Sequence, residues 1–245
     1  DGRELNPELF PAPFYESLPV GVHDIERIEI VLGPSSALYG ANAVAAVISV
    51  TTRRPGPGLQ ADASLAAGQN GALVLGGRAG HRAGRWGIQV LGGMEQENSL
   101  MIPSGAVRDL SWAGLSASLD LGDCQMTASA GLRAGNMRLF SDALGYLPLD
   151  DLFLSYAQTD LEYAGLRGRA YWYGMRSQVG LEMDLINPVT GIRMATISPQ
   201  SVAGDTFHIE GQYSLELIRN NLLIVGADFR YTRFHSDGLV HPTAI

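Results

Sequence analysis

The sequence predicts a mainly β fold: a short strand–turn–strand unit, then the antiparallel strands of a membrane-spanning barrel. Three observations carry this. Beyond Pro57, segments of ~10 residues alternate apolar and polar side chains with period 2, the length and pattern of a tilted membrane strand. The connections between those segments alternate short and long. The apolar content of 46% is nowhere gathered into a run of ~18 residues, so no transmembrane helix is encoded.

The N-terminal unit comes first. Ile28, Ile30 and Leu32 alternate with Arg27, Glu29 and Val31, which predicts a half-buried strand. Gly33-Pro34 ends it, because proline cannot continue a ladder and glycine permits a sharp turn. Ser35 or Ser36 can cap one helical turn through Tyr39, with Gly40 closing it in a left-handed conformation. From Val44 to Thr52 the chain is apolar and rich in β-branched residues, so a strand resumes. From these residues alone, Glu26, Arg27 and Glu29 read as a solvated strand edge.

Strands are then predicted near 59–67, 72–80, 85–95, 111–120, 124–133, 153–163, 167–175, 205–217 and 221–231. The clearest puts Phe207, Ile209, Gly211, Tyr213, Leu215 and Leu217 on one face and His208, Glu210, Gln212, Ser214 and Glu216 on the other. The next sets Leu223, Val225, Ala227, Phe229 and Tyr231 against Ile224, Gly226, Asp228 and Arg230. Ala113, Leu115, Ala117 and Leu119 alternate with Gly114, Ser116, Ser118 and Asp120. Met126, Ala128, Ala130 and Leu132 alternate with polar neighbours through Arg133. Tyr171-Trp172-Tyr173 puts aromatics on both faces and leaves that register open.

Alternation alone also fits a soluble sheet with one wet face. The connections discriminate. Short ones fall at 81–84, 121–123, 164–166 and 218–220, and long ones at 96–110, 134–152 and 176–204; only 68–71 is short where a long one is due. Short turns at one end and long loops at the other mark an outer-membrane barrel. Trp86, Tyr163, Phe207, Tyr231 and Phe234 lie near strand ends, where interfacial aromatic girdles are expected.

Composition excludes several function classes. A net charge of −8 with scattered basic residues argues against nucleic acid, which needs clustered Lys and Arg. Charged residues make up 17% of the chain and mean hydropathy is +0.05, as expected where lipid-facing and lumen-facing residues average out. Cys124 is the sole cysteine, which excludes an internal disulfide and a cysteine zinc site. No nucleophile motif is present, and no catalytic residue, metal site or cofactor is assigned. His208 and Glu210 share a strand face, which metal ligands could do, but lumen-lining polar residues fit better. Asp142, Asp150 and Asp151, and Glu182 with Asp184, match no calcium-loop template and read as solvated loop charges. Met175, Met183 and Met194 lie in or beside the longest loop, where they offer an adaptable apolar contact or simple loop packing. Gly33-Pro34-Ser35-Ser36 lacks the lysine of a phosphate loop.

The run from Asp24 to Arg54, DIERIEIVLGPSSALYGANAVAAVISVTTRR, resembles the end of the plug domain of TonB-dependent outer-membrane receptors. Glu26, Arg27, Glu29, Gly33, Pro34, Tyr39, Gly40 and Asn42 carry the motif, and Asp1-Gly2-Arg3 resembles the turn that precedes this half of the plug. Leu32 departs from the pattern: the family usually has Arg or Lys before the Gly-Pro. The resemblance implies that residues 1–54 are the C-terminal part of a plug and 55–245 the N-terminal part of a barrel. About nine strands of the family's twenty-two would then be present. The signal peptide, the first half of the plug and the TonB box would lie upstream, so the chain reads as a fragment. The charged residues of the motif would meet the barrel wall, and His208, Glu210, Gln212, Glu216, Asp228 and Arg230 would face the lumen. Ligand residues are not identifiable. The implied function is active uptake of a scarce, bulky nutrient across the bacterial outer membrane, with outer-membrane lipid and the TonB complex as partners. Ferric siderophore is the commonest cargo, and cobalamin, carbohydrate or another metal complex is an alternative. The reading from a different class is a surface or structural β-protein without transport.

Overall fold

The computed structural model describes residues 1–4, 18–33, 45–98, 106–141, 145–180, 183–186, 193–197, 200–218 and 221–237. Pro34, Tyr39, Gly40 and Asn42 of the predicted turn lie outside the described residues, as do Asp142 and Glu182.

Two strands form the N-terminal unit. β1 (Ile25–Leu32) and β2 (Ala46–Thr52) pair antiparallel, with Glu29 opposite Ser49 and Ile30 opposite Ile48. A short 3-10 turn, Val22–Asp24, leads into β1. The expectation of a half-buried strand is corrected here. β1 is exposed along nearly its whole length, with Ile28 55% and Ile30 60% accessible. Among the described residues this two-stranded ribbon has no layer over either face, so alternation has nothing to segregate.

The second unit is a meander. Among the described residues one antiparallel sheet has nine strands, with all but one neighbouring pair consecutive in sequence. They are β3 (Gly58–Ala67), β4 (Leu73–Ala83), β5 (Trp86–Asn98), β6 (Ala106–Asp120), β7 (Cys124–Ser141), β8 (Gly145–Tyr163), β9 (Leu166–Val179), β12 (Gln200–Ile218) and β13 (Asn221–Ser236). A separate hairpin, β10 (Met183–Ile186) with β11 (Arg193–Ile197), branches off between β9 and β12. All nine predicted strands are present. The tight turns at 121–123 and Ala164-Gly165 lie where expected, and the one expected at 81–84 lies at Gly84-Arg85, because β4 continues through Ala83.

The long connections are corrected. Much of 134–152 and part of 176–204 is strand, so β7, β8, β9 and β12 run well past their predicted ends. Bulges explain why periodicity missed this. The β7–β8 register shifts between Gly135 and Met137, and the β8–β9 register between Asp150 and Phe153, where Asp151 has φ 50°. One extra residue inverts the alternation on either side of it, and a period-2 pattern is lost.

Register makes the two faces of the wall explicit. Gly80, Gln89, Ser116, Ser129, Gln158, Tyr171, His208 and Arg230 are successive partners across eight strands. One residue along, Ala79, Val90, Leu115, Ala130, Ala157, Trp172, Phe207 and Tyr231 form the adjacent row. The first row is almost wholly polar and points one way; the second is wholly apolar and points the other. This also settles the aromatic triplet: Tyr171 and Tyr173 are buried on the polar face, and Trp172 lies on the apolar one. On the apolar face Trp86, Tyr163, Phe207, Tyr231, Ile209, Val225 and Phe229 stay exposed. An apolar surface this continuous marks contact with an apolar medium or a partner.

The core lies on the other side. Leu110, Met137, Leu149, Leu152, Leu154, Tyr156, Tyr173, Met175, Val179 and Val202 form one buried cluster. It spans β6 to β12 towards the ends that carry the longer connections. Each such side chain contributes about 1.5–3 kcal/mol when fully buried.

Candidate functional site

The polar face holds the N-terminal unit, and this junction is where the structure gathers its buried polar groups. Two stretches of the unit touch the wall.

The first is Leu18–Asp24. Asp24 is 1% exposed, an unusual place for a carboxylate. Its Oδ2 accepts hydrogen bonds from the Gly21 N–H (2.9 Å) and from Trp112 Nε1–H on β6 (3.4 Å). His23 Nε2 lies 3.3 Å from Asp24 Oδ1. Arg133 on β7 donates to the Leu18 carbonyl and to Glu95 on β5, and its guanidinium lies 5.5 Å from the Trp112 ring. Arg108 approaches the same Glu95 carboxylate at 3.7 Å. Glycine makes the fit possible. A Cβ at Gly76 on β4 would overlap the His23 imidazole, and one at Gly93 on β5 would overlap the Trp112 ring. The exit of the unit is fixed beside it: Gln89 Nε2–H donates to the Arg53 carbonyl (3.1 Å), and the Arg53 N–H donates to the Asp24 carbonyl (2.9 Å).

The second stretch is Asp1–Glu4. Arg3 lies over the Tyr156 ring at 3.6 Å and donates to Gln158 Oε1 at 3.0 Å. Burial lowers the Arg3 pKa from its ordinary value, and Tyr156, Tyr173 and Tyr171 oppose that shift. Arg169 on β9 donates to Asp160 (2.6 Å), Glu210 (2.9 Å) and the Gly2 carbonyl (3.0 Å). Arg230 pairs with Glu4 at 2.8 Å. The Asp1 carboxylate accepts from the Thr52 N–H (2.8 Å) and hydroxyl (2.7 Å), which ties this stretch to the end of β2.

The predicted residues fall into two groups. His208, Glu210, Gln212, Asp228 and Arg230 share the polar face, Glu216 lies exposed near its turn end, Arg230 contacts the N-terminal stretch at Glu4, and Glu210 binds Arg169, which in turn holds the Gly2 carbonyl. His208 packs on Tyr171 with ring centroids 4.9 Å apart and lies 3.5 Å from Asp228. Glu26, Arg27 and Glu29, by contrast, are exposed, and Arg27 pairs with Glu29 at 3.3 Å. Gly33 adopts φ 107°, as its turn requires. Leu32 is exposed. Among the described residues, no group of three or more His, Cys, Asp or Glu side chains is placed to hold a metal ion.

Sequence reasoning missed Asp24, Trp112, Arg133, Gln158 and Arg169. One signal was available: Trp112 stands in the polar-face register of β6, with Gly114 and Ser116. A large aromatic in that register must have something packed over it.

Solved structures place this arrangement. The copper transporter OprC aligns over 87% of this chain and 34% of its own, at 14% identity and a TM-score of 0.64. The FrpB iron transporter from Neisseria meningitidis aligns over 89% of this chain and 38% of its own, at 12% identity and 0.66. The ferripyoverdine receptor of the outer membrane of Pseudomonas aeruginosa aligns over 86% and 33%, at 13% identity and 0.62. The fold is that of the TonB-dependent outer-membrane receptors. The chain spans about a third of the length of each of these receptors. No family model and no curated protein matches its sequence.

Proposed function

We propose that this chain is part of a TonB-dependent receptor that imports a scarce, bulky nutrient across the bacterial outer membrane. Residues 1–54 are its plug and residues 55–245 belong to its barrel wall. One observation carries the reading: an apolar row and an almost wholly polar row run side by side across eight strands, and the described residues of the N-terminal unit pack on the polar one. A wall with lipid outside and a folded obstruction inside needs this division. A free-standing soluble sheet would cover its apolar face instead.

On this reading His208, Glu210, Gln212, Glu216, Asp228 and Arg230 line the lumen, and Trp172, Phe207 and Tyr231 lie at one lipid interface. The plug blocks the lumen, and TonB, energised from the inner membrane, remodels it once cargo has bound outside. Glu26, Arg27 and Glu29 on the exposed face of β1 contact further wall. The work is binding and gating, with no bond made or broken in the cargo. Ferric siderophore is the proposed cargo class, supported by an iron transporter and a ferripyoverdine receptor among the structural neighbours. A copper transporter of the same fold keeps other metal complexes in play.

Uptake of radio-iron on a panel of siderophores, in cells carrying the complete gene with and without TonB, tests this. TonB-dependent uptake of one chelate is the expected result. Protein in the outer membrane with no uptake of any chelate would overturn the iron assignment.

A further inference from the structure

We infer that Asp24, Trp112 and Arg133 form a lock that seats the plug in the wall. The inference rests on the transport reading above. Among the described residues, Leu18–Asp24 is where a buried carboxylate of the plug meets a buried indole and a buried arginine of the wall.

The lock is specific in three ways. The Asp24 carboxylate is nearly inaccessible, and one of its hydrogen bonds comes from the wall, at Trp112 Nε1–H. A buried carboxylate that loses a donor is left under-solvated, so the unseated state is penalised. Arg133 joins the Leu18 carbonyl of the plug to Glu95 of the wall while its guanidinium lies by the Trp112 ring, so one side chain senses both partners. Gly76 and Gly93 admit the His23 and Trp112 rings, so the wall is shaped for this turn of the plug. These are positioning residues: they hold the obstruction in place and touch no cargo.

The test uses the full-length receptor and reads leak, which needs neither TonB nor cargo. Asp24→Leu removes the acceptor of the wall hydrogen bond and Trp112→Phe removes its donor. Conductance in planar bilayers and sensitivity of cells to a bulky hydrophilic antibiotic report the unseated fraction. Each single variant is expected to raise conductance roughly tenfold, the effect of one buried hydrogen bond to a charged group. The double variant should leak no more than the worse single, because both changes break the same bond. Heat-modifiable migration on gels verifies that the barrel is formed, and Trp112→Phe, the milder change, keeps the test alive if Asp24→Leu does not assemble. Unchanged conductance in assembled variants, or fully additive leak, would overturn the lock. Failure of wild-type uptake would count against the transport reading alone, since leak is measured without it.

Discussion

Two of the places where the N-terminal unit meets the nine-stranded sheet are built from different physics. At Leu18–Asp24 the contact is buried: a nearly inaccessible carboxylate, an indole N–H, an arginine with 4% side-chain exposure and two glycines that make room. At Asp1–Glu4 the contact is Arg3 on Tyr156 and the buried Gln158, set in a half-open ladder of charges, Asp160, Arg169, Glu210, Glu4 and Arg230, with side chains 25% to 42% exposed. Burial strengthens each hydrogen bond and penalises its loss, whereas water and salt weaken the ladder. The first contact is therefore a fixed anchor and the second a releasable one.

Substitutions can break or sharpen that contrast. Asp24→Ala should have the largest effect, about 2 kcal/mol, because it strands the Gly21 and Trp112 donors in a buried site. Amide exchange at Gly21 and Asp24 in the full-length receptor should quicken by more than tenfold. Gly76→Val should cost about 1–3 kcal/mol by driving a side chain into the His23 ring, and the same amides report it. Arg169→Ala removes three contacts, yet it should cost only about 1 kcal/mol after allowance for exposure. Its effect on protection of residues 1–4 should shrink as salt rises from 0.05 M to about 1 M, where screening is nearly complete. An equal salt response at the two contacts would remove the distinction between them.

The wall was legible in the sequence because a lipid-facing strand must alternate. Phe207 to Leu217 could be assigned to two faces from residue types alone, and the structure pairs that strand on both sides in the register this needs. Legibility stopped at the bulges, where Gly135 and the left-handed Asp151 each shift the alternation. It also stopped at the plug contacts. Arg133 and Trp112 occupy ordinary polar-face positions, and nothing local distinguishes an arginine bathed in lumen water from one clasping Leu18. That difference is set by residues more than a hundred positions away. In the run from Asp24 to Arg54 the conspicuous charges Glu26, Arg27 and Glu29 are exposed, and the buried one is Asp24 just before them.

The central claim is that one face of this sheet meets lipid while the other lines a plugged lumen. A nitroxide scan along β12, in the full-length receptor in lipid vesicles, tests it most directly. Labels at Phe207, Ile209, Gly211 and Tyr213 should collide with dissolved oxygen and not with a polar nickel chelate. Labels at His208, Glu210, Gln212 and Ser214 should show the opposite preference or little access to either. A clear period of 2 with that phase is the predicted result. Uniform access of the nickel chelate along the strand would mean that the apolar face is not in lipid, and would contradict the account.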